Sequence, residues 1–324
     1  MERRKFLKFT TLGLASSSSV VFASESTASS ISSSHDFGMA SIIDLDLCDG
    51  CVAYDTPKCV AACKDKNKDK FPQPKEPMMD YWPQKSHEDY SKHKDETKRL
   101  SPYNYTFVES VKVDGKDVFV PRRCMHCDHP PCQKICPFGV ISKSEEGGVV
   151  IDDYFCFGGA KCRSACPWGI PQRQAGVGVY LKVAPKLAGG GVMYKCDMCV
   201  DLLKKGEKPS CEVSCPKGAI KFDTRENIMK LVENETRHIY GKDENAGTRT
   251  IYVSSVSFED IDKAIDEKYA GGSRMGLPHI KRVDNPMEKS ENLALASLIA
   301  PVAGISAGII AAIKSKKGDK NEDN

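Results

Sequence analysis

The spacing of the 15 cysteines constrains the fold of this 324-residue chain more than any other feature of the sequence. All of them fall into four short motifs, and three of the motifs end in cysteine, three residues, cysteine, proline. The members are Cys48, Cys51, Cys59 and Cys63 in motif one; Cys124, Cys127, Cys132 and Cys136 in motif two; Cys156, Cys162 and Cys166 in motif three; and Cys196, Cys199, Cys211 and Cys215 in motif four. Such endings are typical of loops that bind iron-sulfur clusters.

Motif three, CFGGAKCRSACP, lacks one cysteine of the usual pattern. The position three residues after Cys156 is Gly159, which has no side-chain atom that could bind iron. The sequence therefore predicts one metal centre with an incomplete set of thiolates.

Disulfides, zinc and covalently attached haem are the alternative uses of such cysteines. An odd number leaves one thiol unpaired, and tight spacings are a poor framework for long-range bridges. Repeated Cys-x3-Cys-Pro endings are not zinc spacings, and no pair is followed directly by histidine, as haem attachment requires. Iron-sulfur clusters remain the best interpretation of the pattern.

Motifs of this kind occur in pairs, because the last cysteine of one motif binds the cluster of the other. Four motifs therefore predict an α+β fold of two pseudo-symmetric bacterial ferredoxin-like modules with insertions, holding four centres. The net charge of +3 gives no sign of nucleic-acid binding. A dinucleotide fingerprint, a P-loop and a nucleophile elbow are all missing from the sequence, so we expect no catalytic residues.

The two ends of the chain predict export and membrane attachment. Residues 1–23 carry Arg3 and Arg4 before a modest apolar run, as in a twin-arginine signal peptide, and a Ser-rich linker follows over 24–37. Residues 293–313 contain no charge and would span about 30 Å as a helix, enough for a single-pass transmembrane anchor. The tail 314–324 would then lie in the cytoplasm and the body on the periplasmic side of a bacterial inner membrane.

Between these ends we expect a cluster-binding domain over 38–270, with an insertion at 64–123, and a linker over 271–292. The end of the insertion predicts two strands joined at Asp114-Gly115, and strands are expected at 147–151 and 218–222. Residues 223–226 predict a capping box for the helix that follows, and a strand and an amphipathic helix should complete the body. Residues 72–84 are interpreted either as a docking loop or as a solvated surface excursion.

The four-motif pattern resembles the iron-sulfur electron-transfer subunits of periplasmic respiratory oxidoreductases, and is most similar to the HybA type of nickel-iron hydrogenase subunit. The similarity covers most of the chain, including FGMASIIDLDLCDGC, RRCMHCDHPPCQKICP, YKCDMC and CEVSCPKGAIKFDTRE. The longer spacing between Cys51 and Cys59 departs from the family pattern.

The resemblance implies which cysteines share a cluster. Three sites would hold 4Fe-4S clusters, with Cys48, Cys51, Cys59 and Cys215 at site one; Cys63, Cys196, Cys199 and Cys211 at site two; and Cys124, Cys127, Cys132 and Cys166 at site three. Site four keeps only Cys136, Cys156 and Cys162, for which we expect a 3Fe-4S cluster. The alternative is a 4Fe-4S cluster whose fourth iron binds water or another side chain.

The resemblance also implies a function and its partners. The protein would relay electrons between a periplasmic catalytic subunit, with a nickel-iron hydrogenase as the best interpretation, and a membrane subunit that reacts with quinone. A molybdopterin oxidoreductase, a formate dehydrogenase or a multihaem cytochrome reductase is the alternative partner. Two rivals from other classes are an enzyme that uses an open iron at site four and an anchored structural zinc protein.

Overall fold

The computed structural model describes residues 38–81, 85–183 and 190–286. The predicted signal peptide, the Ser-rich linker, the helix at 293–313 and the tail lie outside these residues, as does part of the 271–292 linker. Within the described ranges, no helix combines the length and apolar character needed to cross a membrane.

A four-stranded sheet joins the beginning of the body to its end. Its order is β8 (Ile220–Thr224), β1 (Met39–Asp44), β10 (Thr250–Ser254) and β9 (His238–Tyr240). Strand β1 is parallel to β10, with Ile43 opposite Tyr252, and antiparallel to β8, with Ile43 opposite Ile220. Motifs one and four, which lie far apart in the sequence, are brought together by this pairing.

Three hairpins complete the strands. They are β2 (Phe107–Val113) with β3 (Lys116–Arg122), β4 (Ile141–Lys143) with β5 (Val149–Ile151), and β6 (Gln172–Gln174) with β7 (Val192–Tyr194). The predicted turn at Asp114-Gly115 is confirmed, since both residues have positive φ angles, 49° and 81°. The strands predicted at 147–151, 218–222 and near 250 are confirmed as β5, β8 and β10.

The helices are short, and several begin inside the cysteine motifs. They are α1 (Lys58–Asn67), α2 (Pro131–Lys134), α3 (Lys161–Ala165), α4 (Tyr180–Val183), α5 (Val200–Leu203), α6 (Ser210–Val213), α7 (Arg225–Glu233) and α8 (Phe258–Lys268). Single turns of 3-10 helix occupy Lys68–Lys70, Ser91–His93 and Glu244–Ala246.

The predicted cap of α7 is confirmed in part. The Thr224 hydroxyl accepts a hydrogen bond from the backbone N–H of Asn227, as an N-cap should. The reciprocal half of the capping box does not form with Glu226, whose carboxylate binds Lys230 one turn later at 2.5 Å. The capping box fails because the glutamate would have to be the third residue after the N-cap Thr224, and that residue is Asn227.

The insertion contacts motif three and the segment after it at several points, while six of the ten described residues in 72–81 are exposed, so both interpretations of residues 72–84 stay predictions. The backbone N–H of Lys75 donates to the Gly176 carbonyl at 2.8 Å, and the guanidinium of Arg173 lies 3.7 Å from the Tyr81 ring centroid. The half-buried carboxylate of Glu88 accepts two hydrogen bonds from Arg163, both at 2.7 Å, and one from Arg173 at 2.6 Å. These contacts fix the insertion beside the segment that carries site four.

Candidate metal centres

The four motifs share one backbone turn, although their sequences differ. The residue two positions after the first cysteine is left-handed in each motif, at Gly50, His126, Gly158 and Met198, with φ angles of 65°, 49°, 64° and 63°. Left-handed non-glycine residues are uncommon, so their recurrence at this position marks a structural repeat. Motif three keeps the turn even though it has lost a cysteine.

The second half of each motif repeats as well. The cysteine before the last one is the second residue of a helix in all four motifs: Cys59 in α1, Cys132 in α2, Cys162 in α3 and Cys211 in α6. The last cysteine follows one helical turn later. After motifs two, three and four, the backbone turns away through Gly139, Gly169 and Gly218, each with a φ of 62°. Motif one has Lys64 in place of proline, and α1 continues to Asn67.

The last cysteines of motifs one and four each lie near thiols of the other motif, as the predicted exchange requires. Burial, followed by repulsion from Cys211, Cys48, Cys51 and Cys215, raises the pKa of Cys59 above its usual range. Burial, followed by repulsion from Cys196, Cys211 and Cys199, likewise raises the pKa of Cys63. Cys215 therefore lies with the thiols of motif one, and Cys63 lies with those of motif four.

Motifs two and three make the same exchange. A cavity is lined by the four thiols predicted for site three, Cys124, Cys127, Cys132 and Cys166. Burial raises the pKa of Cys127, and Cys166, Cys124 and Cys132 raise it further. A second cavity is lined by Cys136, Cys156 and Cys162, the three thiols predicted for site four. The predicted members of each set are neighbours in the structure, while their role as iron ligands stays a prediction.

Gly159 lines the cavity of site four beside the three thiols. A Cβ atom built at this position would meet no atom within 4 Å, and the φ angle of Gly159 is not left-handed. The rings of Phe138 and Phe157 stack at 4.6 Å and line the same cavity. The structure therefore leaves room at the position where the pattern expects a fourth cysteine.

The described residues fit buried sulfur clusters better than a single ion. Within the ranges that the structure describes, no three cysteine, histidine or carboxylate side chains converge on a point that one ion could occupy. The thiols of sites three and four line cavities, and backbone amides donate to sulfurs of sites two and four. Gly158 and Met193 donate to Cys156 Sγ at 3.4 and 3.5 Å, and Met198 donates to Cys196 Sγ at 3.4 Å. Such bonds stabilise thiolate ligands and tune a cluster's potential.

The four sites follow one another in a line. Besides its own set, Cys59 of site one interacts electrostatically with Cys211 of site two, and Cys196 of site two interacts with Cys124 of site three. Cys162 of site four interacts with Cys132 of site three. The order along the body is therefore one, two, three, four.

Three exposed apolar side chains adjoin cysteines of motifs one and four in the sequence, beside Cys48, beside Cys51 and between Cys211 and Cys215. Leu47, Val52 and Val213 are 47%, 73% and 70% exposed, and the thiol-bearing residues Cys48 and Cys51 are only half-buried. Exposed apolar groups that lie together on a surface mark sites of protein contact. We call Leu47, Val52 and Val213 the site-one patch.

Some side chains beside the thiols were expected and others were not. His126 and Trp168 lie within or beside the motif loops in the sequence, which predicts packing around a cluster for both. In the structure, His126 Nε2 lies 3.5 Å from Cys196 Sγ and Trp168 lines the site-three cavity. Arg123 and Lys195, which also contact the thiol sites, were not singled out from the sequence. Their only sequence signal is that each directly precedes the first cysteine of its motif.

Comparison with known proteins shows the family to which this protein belongs. Residues 116–225 match the model of the 4Fe-4S dicluster domain. The protein is 31% identical over 191 residues to a sulfite dehydrogenase subunit of Allochromatium vinosum, a match that covers 57% of this protein and 68% of the relative. This protein is a member of the family of iron-sulfur electron-transfer subunits of oxidoreductases.

Other members of the family differ in the complex that they serve. The Hydrogenase-2 operon protein HybA of Escherichia coli O157:H7 is 27% identical over 282 residues, covering 74% of this protein and 76% of the relative. One component of the anaerobic dimethyl sulfoxide reductase of Escherichia coli K12 is 39% identical over 107 residues, covering 33% of this protein and 46% of the relative. Relatives of this protein are thus subunits of larger oxidoreductases, and the ferredoxin-like domain of mixed helices and strands is shared among them.

Proposed function

We propose that the protein relays electrons through four iron-sulfur clusters held in two ferredoxin-like modules. Motifs one and four form one module with sites one and two, and motifs two and three form the other with sites three and four. Sites one to three would hold 4Fe-4S clusters, and site four, with three thiols and Gly159, would hold a 3Fe-4S cluster. The clusters supply one-electron redox chemistry, and the described residues supply thiols, amide donors and shielding from water.

One observation carries this proposal, namely the line of four thiol sets in which each set neighbours the next. An enzyme with its own chemistry would need one such site and a substrate cavity, whereas a relay needs several sites in sequence.

The catalytic partner is proposed to bind at the site-one patch. This end of the line has half-buried thiols and exposed apolar side chains next to them in the sequence, as a docking surface for electron exchange requires. A nickel-iron hydrogenase is the first candidate, supported by similarity to HybA along most of both proteins. The similarity to components of a sulfite dehydrogenase and a dimethyl sulfoxide reductase favours the second candidate, a molybdopterin oxidoreductase, formate dehydrogenase or multihaem cytochrome reductase.

The membrane side of the proposal comes from the sequence. Residues 293–313 would anchor the protein, and a membrane subunit that reacts with quinone would meet the other end of the line, near site four. A three-iron cluster commonly has a higher potential than its four-iron neighbours, which suits the quinone end. Arg3 and Arg4 would direct export of the folded protein to the periplasm by the twin-arginine route.

The test is the metal content of the complex purified intact from native membranes, with this protein as the affinity handle. Nickel beside cluster iron would identify a hydrogenase, and molybdenum or tungsten without nickel would identify the second candidate. Haem iron would point to a cytochrome reductase. Zinc in place of iron would overturn the relay, and substrate turnover by this protein alone would show that it is an enzyme.

A further inference from the structure

Arg123 lies next to motif two in the sequence but reaches a thiol of site two. It directly precedes Cys124, a predicted ligand of site three, yet its Nη1 atom lies 3.6 Å from the Sγ atom of Cys211. The side chain is buried, its Nη2 atom donates to the Ser41 hydroxyl at 2.5 Å, and its guanidinium lies 4.7 Å from the Phe222 ring centroid. A guanidinium does not lose its proton in proteins, so a fixed positive charge lies beside site two.

Lys195 reaches in the opposite direction, from a motif of the first module to a site of the second. It directly precedes Cys196, a predicted ligand of site two, yet it lines the cavity of site three together with Cys124, Cys127, Cys132 and Cys166. Its buried ammonium donates to the carbonyls of Val149 and Cys196, and the nearest carboxylate with which it interacts is that of Asp197. No ion pair joins Lys195 to a carboxylate in the part of the chain that the structure describes, so much of its charge acts on the thiols.

The two cations therefore lie in equivalent positions of two repeated motifs, and each points into the other module. Between them lies His126, with Nε2 3.5 Å from Cys196 Sγ and Nδ1 accepting the backbone N–H of Val149 at 3.0 Å. The modules meet where Cys196 of site two and Cys124 of site three are neighbours. Both cations consequently lie at the junction that the relay must cross.

We propose that Arg123 raises the reduction potential of site two and that Lys195 raises that of site three, each residue acting on the module other than its own. The two raised potentials would allow an electron to pass between the modules. A nearby positive charge favours the more negative, reduced state of a cluster, and it acts strongly in a buried region of low dielectric. One electron moves in this step, so one site is oxidised as the other is reduced, and no bond or proton changes. The inference rests on the proposed iron-sulfur function.

Redox titration of the intact complex, followed by electron paramagnetic resonance, tests the proposal. We expect Arg123→Gln to lower the potential of site two and Lys195→Gln to lower that of site three, each by about tenfold in the oxidised-to-reduced ratio, or about 59 mV. Sites one and four should shift much less. The matched control is Arg122→Gln, which removes an equally buried charge that lies 5.8 Å from the Tyr252 ring centroid and binds the His279 carbonyl.

Variants that keep the charge separate electrostatics from structure. Arg123→Lys and Lys195→Arg should retain most of the wild-type potentials, and the small remaining shift should fall on site two and site three, respectively. These two variants decide the matter even if the glutamine variants do not assemble. Unchanged potentials in the glutamine variants, or shifts that are larger at the site of the residue's own motif than at the site of the other module, would overturn the proposal. A wild-type complex without clusters would instead overturn the proposed function itself.

Discussion

Replacement of Gly159 by cysteine is expected to supply the thiolate that site four lacks. Gly159 lies three residues after Cys156, the offset that Cys51, Cys127 and Cys199 occupy in the other motifs. The site-four cavity already includes Gly159 in its lining. We expect the Gly159→Cys variant to hold a 4Fe-4S cluster at site four, with a rise of about one iron atom per protein molecule.

The surroundings of Gly159 determine how much the Gly159→Cys substitution changes the stability of the fold. A Cβ atom at Gly159 has open space around it and needs no left-handed backbone, so the free energy of unfolding should change by no more than about 0.5 kcal/mol. The neighbouring Gly158→Cys variant should be destabilised. Its φ angle of 64° would cost about 1–2 kcal/mol for a side chain, and its Cβ atom would lie 2.5 Å from the Gly191 carbonyl oxygen.

The assay combines iron analysis with electron paramagnetic resonance of the oxidised protein. The near-isotropic signal of the 3Fe-4S cluster should be present in the wild type and lost in Gly159→Cys. The matched control Gly159→Ala adds the same Cβ atom without a thiol, and it should keep both the signal and the iron content. A wild type without that signal, or a Gly159→Cys variant that retains it in full, would refute the reasoning about site four.

Three further predictions concern the ligand exchange, the insertion and a helix cap. The Cys63→Ala variant should lose the cluster of site two and keep that of site one, although Cys63 belongs to motif one; titration of the individual clusters checks this, and loss of site one would contradict the exchange. The Glu88→Gln variant removes one carboxylate charge from two half-buried arginines and should lower the free energy of unfolding by about 1.5–3 kcal/mol, measured by denaturant titration. Burial alone would raise the pKa of Glu88. The hydrogen bonds and charges of Arg163 and Arg173 outweigh this effect, so the pKa of Glu88 lies below its usual value. The stabilisation from Glu88 should therefore be complete above about pH 4.5, and it should fall as the pH drops through the lower pKa of the folded protein. Equal acid sensitivity of the wild type and the Glu88→Gln variant would contradict this pH dependence. The Thr224→Ala variant should cost about 1 kcal/mol, and Thr224→Ser, which keeps the hydroxyl, should cost much less.

Local features of the fold could be predicted from the sequence because short-range chemistry determines them. The turn at Asp114-Gly115 needs left-handed backbone, and both residues adopt it readily. The cap at Thr224 needs a hydroxyl before a helix. The cysteine motifs also carry their own turns and helix starts, so four thiol sites could be expected before any contact was known.

Contacts between residues far apart in the chain could not be predicted from the sequence. Glu88 meets Arg163 across 75 residues, and no spacing rule connects an acidic residue in an insertion with an arginine in a cluster motif. Arg123 and Lys195 adjoin cysteines of one site and contact another, since each side chain crosses between modules that only the folded protein brings together.

Iron and zinc analysis of the purified intact complex, together with titration of its paramagnetic signals, tests the central claim most directly. Three four-iron clusters and one three-iron cluster predict about 15 iron atoms per copy of this protein, with four separate redox transitions. Zinc bound in place of iron, or iron sufficient for only one or two clusters in the intact complex, would contradict a relay of four sites.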